Sequence, residues 1–481
     1  MKLSQPQKIA FGTGGWRGII GDDFIKANIQ RVAYGICLLA KEEKKDDLPI
    51  IVGCDRRFLS IPAIGWIAEV ITGMGMKVIL MENNRSTPTP LVMFLIQRLG
   101  YHYGIEVTAS HNPAEYNGMK LIVDEGRDAP LETTARLEQL IEDGYFDDIP
   151  MLSEAEATAR GLLTRMHTPF NDFIDHILSK LNQKAIRDRG LRILFDPMHG
   201  SGTYPLLVIL QTLRCTVDLI NDNKDAYFGG GTPAPSETRL ADLRRRVVEG
   251  NYDLGIAFDG DGDRLGVVDE SGRYIDANEI LCLLYNYLHA YKGWTGPVVR
   301  NLATTHMLDL IAKSFGENCY EVPIGFKYIS SAIDLYDAVL GGESSGGLTV
   351  RGHIHGKDSI YAASLFIEMV CNTGKTPSQM MDELEAKFGH FELVEANLKF
   401  DAARKPEIQN TLMVKKALPT FEKEVVRVNY EDGCKVYFGD NSFVICRFSG
   451  TEPLLRIFAE ASDAETASRY IAAFREMLSL N

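Results

Sequence analysis

Two short segments carry side chains suited to moving a phosphoryl group. Residues 105–113 read Ile-Glu-Val-Thr-Ala-Ser-His-Asn-Pro, and residues 258–264 read Phe-Asp-Gly-Asp-Gly-Asp-Arg. The first runs off an apolar strand into a polar loop centred on Ser110. A serine hydroxyl attacks phosphorus poorly unless a neighbour takes its proton. Lys120 can return to this loop if the residues between Asn112 and Met119 turn back. The plain alternative is an Asn-Pro turn with a solvent-facing serine. The second segment places Asp259, Asp261 and Asp263 at alternate positions, so an extended chain presents three carboxylates on one side. Hard oxygen ligands of this kind suit Mg²⁺, with a phosphate oxygen or water completing its shell. Asp259, Asp261, Asp263 and Glu270 also have EF-hand spacing. Arg264, however, stands where that loop needs glycine, and 252–258 reads as a strand, not an entering helix. A solvated acidic turn fits the strand-end position poorly.

Three further loops add polar groups. Gly342-Glu-Ser-Ser-Gly-Gly347 follows an apolar run, and Glu343 and Ser345 are spaced to bond adjacent hydroxyls of a sugar. Arg447-Phe-Ser-Gly-Thr451 offers Arg447, Ser449, Thr451 and the amides around Gly450 as a compact oxyanion site. Gly12-Thr-Gly-Gly-Trp-Arg-Gly18 is a backbone-rich loop with Arg17. Taken singly, each reads as an ordinary glycine turn or hairpin. His353 and His355 form an H-x-H pair without an evident third ligand, so they read as loop or substrate contacts.

The elements that must hold these loops alternate. Strands are expected at 49–53, 76–81, 103–107, 191–195, 217–220, 253–258 and 297–299. Helices are expected at 24–42, 61–74, 131–143, 170–179, 278–291 and 359–370. Such alternation predicts mostly parallel sheets with sites at strand C-termini. Three strands end in similar polar loops, Ile51–Arg56, Ile193–Gly200 and Gly255–Gly260, as repeated α/β domains would. The C-terminal part differs: 443–448 and 454–460 read as paired strands and 464–478 as a covering helix, a small α+β module. Boundaries near 165, near 272 and in the charged stretch 382–390 give domains 1–165, 166–272, 273–390 and 391–481.

Composition narrows the class. The chain has 481 residues, with 51 Lys and Arg against 65 Asp and Glu, a formal charge of −14. That balance argues against a nucleic-acid surface. The eight cysteines include no C-x-x-C pair, as expected for reduced thiols in a cytoplasmic protein. The first residues, Met-Lys-Leu-Ser-Gln-Pro-Gln-Lys, lack the apolar core of a signal peptide, so none is expected. The apolar stretch 61–81 is broken by Pro62, Glu69 and Lys77, so no membrane span is expected.

In order, Thr108-Ala-Ser-His-Asn-Pro113, Asp259-Gly-Asp-Gly-Asp-Arg264, Gly342-Glu-Ser-Ser-Gly346 and Arg447-Phe-Ser-Gly-Thr451 resemble the four signatures of the α-D-phosphohexomutase superfamily. Four ordered motifs across the whole chain are far more specific than any one. The resemblance implies three related α/β, mixed-sheet domains and a smaller C-terminal α+β domain around a central cleft. It implies Ser110 as phosphoserine, and Asp259, Asp261 and Asp263 binding Mg²⁺ with a phosphoserine oxygen. Lys120 would act as general base or acid, with His111 beside the serine, and Arg17 and Arg264 would stabilise the transferring group. Glu343 and Ser345 would bind sugar hydroxyls, and Arg447, Ser449, Gly450 and Thr451 the other phosphate. Lys327 and Lys357 are further substrate contacts. A hexose phosphate is the implied substrate and glucose 1,6-bisphosphate the implied intermediate and activator, in a monomer or homodimer. One departure stands out: many bacterial members carry His where this chain has Gly347. Its contact would fall to another group, with His353 or His355 as candidates. The departure, with Gly-Phe-Lys327 and Lys357-Asp358, points toward phosphoglucomutase-like members over phosphomannomutase or phosphoglucosamine mutase.

Overall fold

The computed structural model describes residues 8–12, 15–144, 146, 148–449 and 453–480. They form two compact units. The first holds the described residues up to Ala277 together with Ser345–Thr376; the second holds Asn278–Ser344 and the described residues from Pro377 onward.

In the first unit a mixed sheet runs in the spatial order Phe11–Gly12, Gly15–Ile19, Tyr116–Val123, Tyr103–Val107, Ile50–Cys54, Val78–Met81, Leu163–Met166. Ile50–Cys54 is buried at every residue. An unbroken apolar strand of this kind is what a parallel sheet covered on both faces requires. The helix Lys26–Glu42 buries Ile29, Val32, Ala33, Ile36, Cys37 and Ala40, a stripe at helical spacing that packs into the same core. Tyr103–Val107 and Tyr116–Val123 pair antiparallel, with Glu106 opposite Lys120. The turn expected between Ser110 and Lys120 is therefore present, and Lys120 lies on the strand paired with the one that leads into the serine loop.

A second sheet in this unit has the order Thr216–Leu219, Arg192–Asp196, Leu254–Phe258, Leu265–Asp269, Tyr274–Ile275. Leu254–Phe258 turns through the aspartate loop into antiparallel Leu265–Asp269. A strand on each side of that loop excludes an EF-hand. The helix Ser359–Thr373 packs on helices Gln183–Arg189 and Thr203–Thr212 and carries its segment into this unit.

In the second unit, Val298–Asn301 lies between parallel Cys319–Val322 and Leu340–Gly342. An antiparallel sheet, Glu392–Lys399, Leu454–Ala461, Phe443–Phe448, Cys434–Phe438, Val425–Asn429, is covered by the helix Ala464–Met477. This is the α+β module expected from the sequence. The eight cysteines are free thiols. Among the described residues no helix is long and apolar enough to cross a membrane.

Candidate active site

The first unit brings the serine loop and the aspartate loop together. Ser110 Oγ donates to Asp259 Oδ2 at 2.9 Å. The two backbones approach closely because residue 260 is glycine: a Cβ there would lie 2.7 Å from the Ser110 carbonyl oxygen. Three separate segments pin the aspartate loop by its carbonyls. Ser201 N donates to Gly260 O at 3.0 Å, Thr89 N to Asp261 O at 2.9 Å, and Ser359 Oγ to Gly262 O at 2.6 Å. Side chains on such a loop have little freedom to drift.

Asp259 is held through both oxygens, Asp261 and Asp263 through one each. Asp259 Oδ1 accepts from the N–H groups of Asp263 and Arg264 at 2.9 and 3.1 Å. Asp261 Oδ2 accepts from Thr89 Oγ1 at 2.6 Å and Lys120 Nζ at 2.7 Å. Asp263 Oδ2 accepts from Lys120 Nζ at 2.8 Å and pairs with Lys357 Nζ at 2.9 Å. The other oxygens of Asp261 and Asp263, both Oδ1, are buried without a hydrogen-bond partner among the described residues. One oxygen from each of the three aspartates lies within 4.8 Å of the others. Buried, unpaired lone pairs on converging carboxylates are costly unless a cation takes them. The cluster can therefore hold a metal ion, and its oxygen-only donors suit a hard divalent one.

The charges around it divide by role. Burial, then Asp263 and Asp261, push Asp259 well up from the usual carboxylate range. Burial acts the same way on Asp263, but Lys120, Lys357 and Arg264 overcome it and hold that carboxylate well down. Against the cost of burial, Asp261 and Asp263 raise the Lys120 ammonium. Lys120 is thus kept protonated and aimed at the carboxylates. It stands as a cation against two of the three carboxylates.

His111 Nδ1 lies 3.4 Å from Ser110 Oγ. Burial, with Arg264, Arg17 and Lys357 nearby, drives its ring down to about 2, so it is a neutral imidazole. Burial and Arg264 also lower Arg17, whose Nε has no hydrogen-bond partner among the described residues. Arg264 Nε sits 3.9 Å from Asp259 Oδ2 and 3.8 Å from Asp263 Oδ1. Burial first, and then Arg264, Arg17 and Lys357, lower the histidine, and the same three cations stand where a phosphoryl group needs them.

The reading of His353 as the substitute for a histidine at 347 is corrected. His353 is buried, with Nε2 2.6 Å from Asp358 Oδ2 and Nδ1 3.3 Å from His176 Nε2, and its ring stacks on His176. His355 Nδ1 meets Arg127. The space a side chain at 347 would take is filled by Lys357: a Cβ on Gly347 would lie 2.2 Å from Lys357 Cδ. Ser345, in this same unit, is exposed.

The second unit carries the remaining residues. Glu343 is buried, and its Oε1 accepts from Asn301 Nδ2 at 3.0 Å and Gly325 N at 3.1 Å. Lys327 lies in the first turn of the helix Phe326–Tyr336, its ammonium 5.3 Å from the Tyr328 ring centroid. Arg447 Nη2 donates to Asp432 Oδ1 at 3.2 Å, while Asp432 Oδ2 accepts from Ile324 N at 3.0 Å. Ser449 is buried and its N–H donates to Leu454 O at 2.8 Å. Gly450 and Thr451 lie outside the described residues. Sequence reasoning missed Thr89, Asn301 and Asp432, which orient Asp261, Glu343 and Arg447. It also missed Arg57, although the loop Ile51–Arg56 beside it stood out.

Comparison with known proteins agrees with this arrangement. The family model for phosphoglucomutase/phosphomannomutase α/β/α domain I matches residues 8–148, domain II matches 171–272, domain III matches 276–388, and the C-terminal domain matches 395–477. A phosphoglucomutase/phosphomannomutase from Thermococcus kodakarensis is 29% identical over 461 residues, 96% of each chain. A phosphoglucosamine/phosphogalactosamine mutase from Sulfurisphaera tokodaii is 25% identical over 471 residues, 97% of this chain and 98% of the relative. A provisionally named phosphomannomutase structure from Thermus thermophilus superposes with a TM-score of 0.84 at 26% identity, covering 99% of this chain and 100% of its own. With all four domain types present in order, three α/β/α and one C-terminal, the chain belongs to the phosphoglucomutase/phosphomannomutase family of the α-D-phosphohexomutase superfamily and is an intramolecular phosphotransferase.

Proposed function

We propose that the protein interconverts glucose 1-phosphate and glucose 6-phosphate, with Ser110 as the phosphoryl carrier and a hexose 1,6-bisphosphate as the bound intermediate. The observation that carries this reading is the Ser110 hydroxyl bonded to one of three buried carboxylates, two of which keep an oxygen with no hydrogen-bond partner among the described residues. Ser110, Asp259, Asp261 and Asp263 would hold Mg²⁺, which supplies positive charge to the phosphoryl oxygens when bound.

The chain's own residues do the rest. In the first half-reaction the bond from Ser110 Oγ to phosphorus breaks as a sugar hydroxyl oxygen bonds to phosphorus. The proton of that hydroxyl passes, by way of Lys120 as general base and acid, to Ser110 Oγ, which ends as a hydroxyl. The second half-reaction reverses this with the other phosphate. Arg17, Arg264 and Lys357 offset charge on the moving group, and neutral His111 offers an uncharged ring nitrogen beside Oγ. Lys120 helps hold the Asp263 carboxyl down and orients both Asp261 and Asp263. In the second unit, Glu343 is held by Asn301 and Gly325 to read sugar hydroxyls. Arg447 and Ser449 would bind the phosphate that is not transferred, with Gly450 and Thr451 beside them in sequence, and Lys327 is a further contact.

Glucose is chosen over mannose and glucosamine because of the sugar loop. Gly347 and Lys357 replace the histidine arrangement of many bacterial members. Initial rates on the 1-phosphates of glucose, mannose, glucosamine and N-acetylglucosamine, with a trace of glucose 1,6-bisphosphate, test the choice. Glucose phosphate should turn over fastest, with measurable mannose activity. Far faster turnover of an aminosugar phosphate would refute the glucose reading. Release of inorganic phosphate in place of isomer would make the protein a hydrolase.

A further inference from the structure

The loop 110–116 makes a demand that its own sequence cannot meet. Ser110 has φ +52°, the left-handed region that strains a residue with a Cβ. The carbonyls of Ser110, Asn112, Pro113 and Tyr116 converge on one guanidinium. Arg57 Nη2 donates to Ser110 O at 2.6 Å and Asn112 O at 2.7 Å. Its Nη1 donates to Pro113 O at 2.8 Å and Tyr116 O at 2.9 Å. Arg57 Nε lies 3.2 Å from Asp55 Oδ2, with both side chains fully buried, and the Phe228 ring centroid is 4.7 Å from the guanidinium carbon.

The other side of Ser110 ties back to the same pair. Ser110 N donates to Thr108 Oγ1 at 2.8 Å, and Thr108 Oγ1 donates to Asp55 Oδ2 at 2.7 Å. Asp55 is itself fixed by Arg57 N at 2.9 Å and Ser60 Oγ at 3.0 Å. One buried ion pair therefore grips both the carbonyl and the N–H of the strained serine. A fork of planar donors can serve four carbonyls, and a lysine ammonium cannot reproduce that geometry.

We propose that Arg57, braced by Asp55, is a positioning residue for phosphoryl transfer: it holds Ser110 in its left-handed conformation and so aims Oγ at Asp259 and the carboxylate cluster. This rests on the reading of Ser110 as the phosphoryl carrier. Arg57 touches none of the reacting atoms; it acts only through the serine backbone.

The test is the single-turnover rate at which Ser110 takes phosphate from glucose 1,6-bisphosphate, followed by intact-protein mass. Arg57→Lys should slow that step on the order of 100-fold while the KM for hexose monophosphate stays within about threefold. Added guanidinium ion should restore part of the rate in Arg57→Ala. A scaffolding role alone would lower Tm and the active fraction, leave the rate per folded site unchanged, and give no guanidinium rescue; that result overturns the proposal. Should Arg57→Lys not fold, Phe228→Leu keeps every donor but removes the ring packed against the fork. It should slow the same step by a smaller factor, and a wild-type rate would overturn the proposal. Ser110→Ala separates the two readings. If it still acquires phosphate and turns over, the carrier assignment fails. If it is inert while Arg57→Lys transfers at the wild-type rate, only the role of Arg57 fails.

Discussion

Adding one methyl group at Gly347 should reach the aspartate cluster through Lys357. A Cβ at 347 would lie 2.2 Å from Lys357 Cδ and 2.8 Å from its Cγ, so the lysine stem must move. The backbone itself offers no resistance, because Gly347 lies outside the left-handed region. The lysine's ammonium is anchored 2.9 Å from Asp263 Oδ2, with Lys357 12% and Asp263 1% exposed at the side chain. Displacing a stem by more than an ångström while keeping that contact requires off-rotamer torsions, so the contact should break. A hydrogen bond to a charged group is worth about 1.5–3 kcal/mol. If it is made in full at the transition state, Gly347→Ala should lower kcat roughly 10- to 150-fold. Stability should change by less than about 2 kcal/mol, since Asp263 keeps Lys120 at 2.8 Å. Lys357→Met should give a loss of the same size. The double variant is the decisive measurement: because both changes remove one contact, it should be no worse than either single variant. Multiplied losses in the double variant, or wild-type kcat in Gly347→Ala, would refute the argument that glycine is present to make room for the lysine.

Further outcomes follow from the same geometry. Ser110→Ala should abolish mutase turnover with the fold intact, and intact mass should show a single phosphate missing from the protein. Chelation should abolish activity and Mg²⁺ should restore it; Asp261→Asn should weaken metal binding while leaving Tm near or above the wild-type value, because it removes one of three mutually repelling carboxylates. Arg447→Ala should weaken hexose phosphate binding by about 1.5–3 kcal/mol per lost charge-assisted contact, read as a rise in KM or a calorimetric Kd; unchanged affinity would put the phosphate elsewhere. Burial pushes Glu460 up from 4.5 to about 7. The folded state therefore binds that proton more tightly, and its contribution is full below pH about 4.5 and lost as pH rises to about 7. Glu460→Gln keeps an acceptor for His306 N and should raise Tm at pH 8 by a few degrees, with the gain vanishing near pH 4; an equal shift at both pH values would contradict the titration argument.

What the sequence revealed and what it hid divide along a physical line. Elements whose character is local were legible. The strand Tyr103–Val107 and the helix Leu131–Asp143 lie where the apolar pattern puts them, because periodicity and breakers sit within the element itself. The aspartate loop was legible for the same reason: carboxylates at alternate positions on one strand end need no partner to be noticed. Lys120 was harder, since its relevance depends on a turn and on the pairing of Glu106 with Lys120. The sequence alone suggested a proton acceptor for Ser110. The two carboxylates that bond it arrive from more than 140 residues away, so its surroundings could not be read locally. His353 shows the converse error. An H-x-H pair near a sugar loop invites a substrate role, yet its partners are His176, about 180 residues earlier, and Asp358. Arg57 is the extreme case. Nothing in Cys-Asp-Arg-Arg distinguishes the second arginine from the first. Only the folded chain shows Arg56 directing a donor to an exposed carbonyl of Asp222 while Arg57 turns inward to four carbonyls. Groups that carry chemistry come in types scarce enough to notice. Groups that aim them are ordinary residues, marked by where the fold leaves buried acceptors in need of a donor.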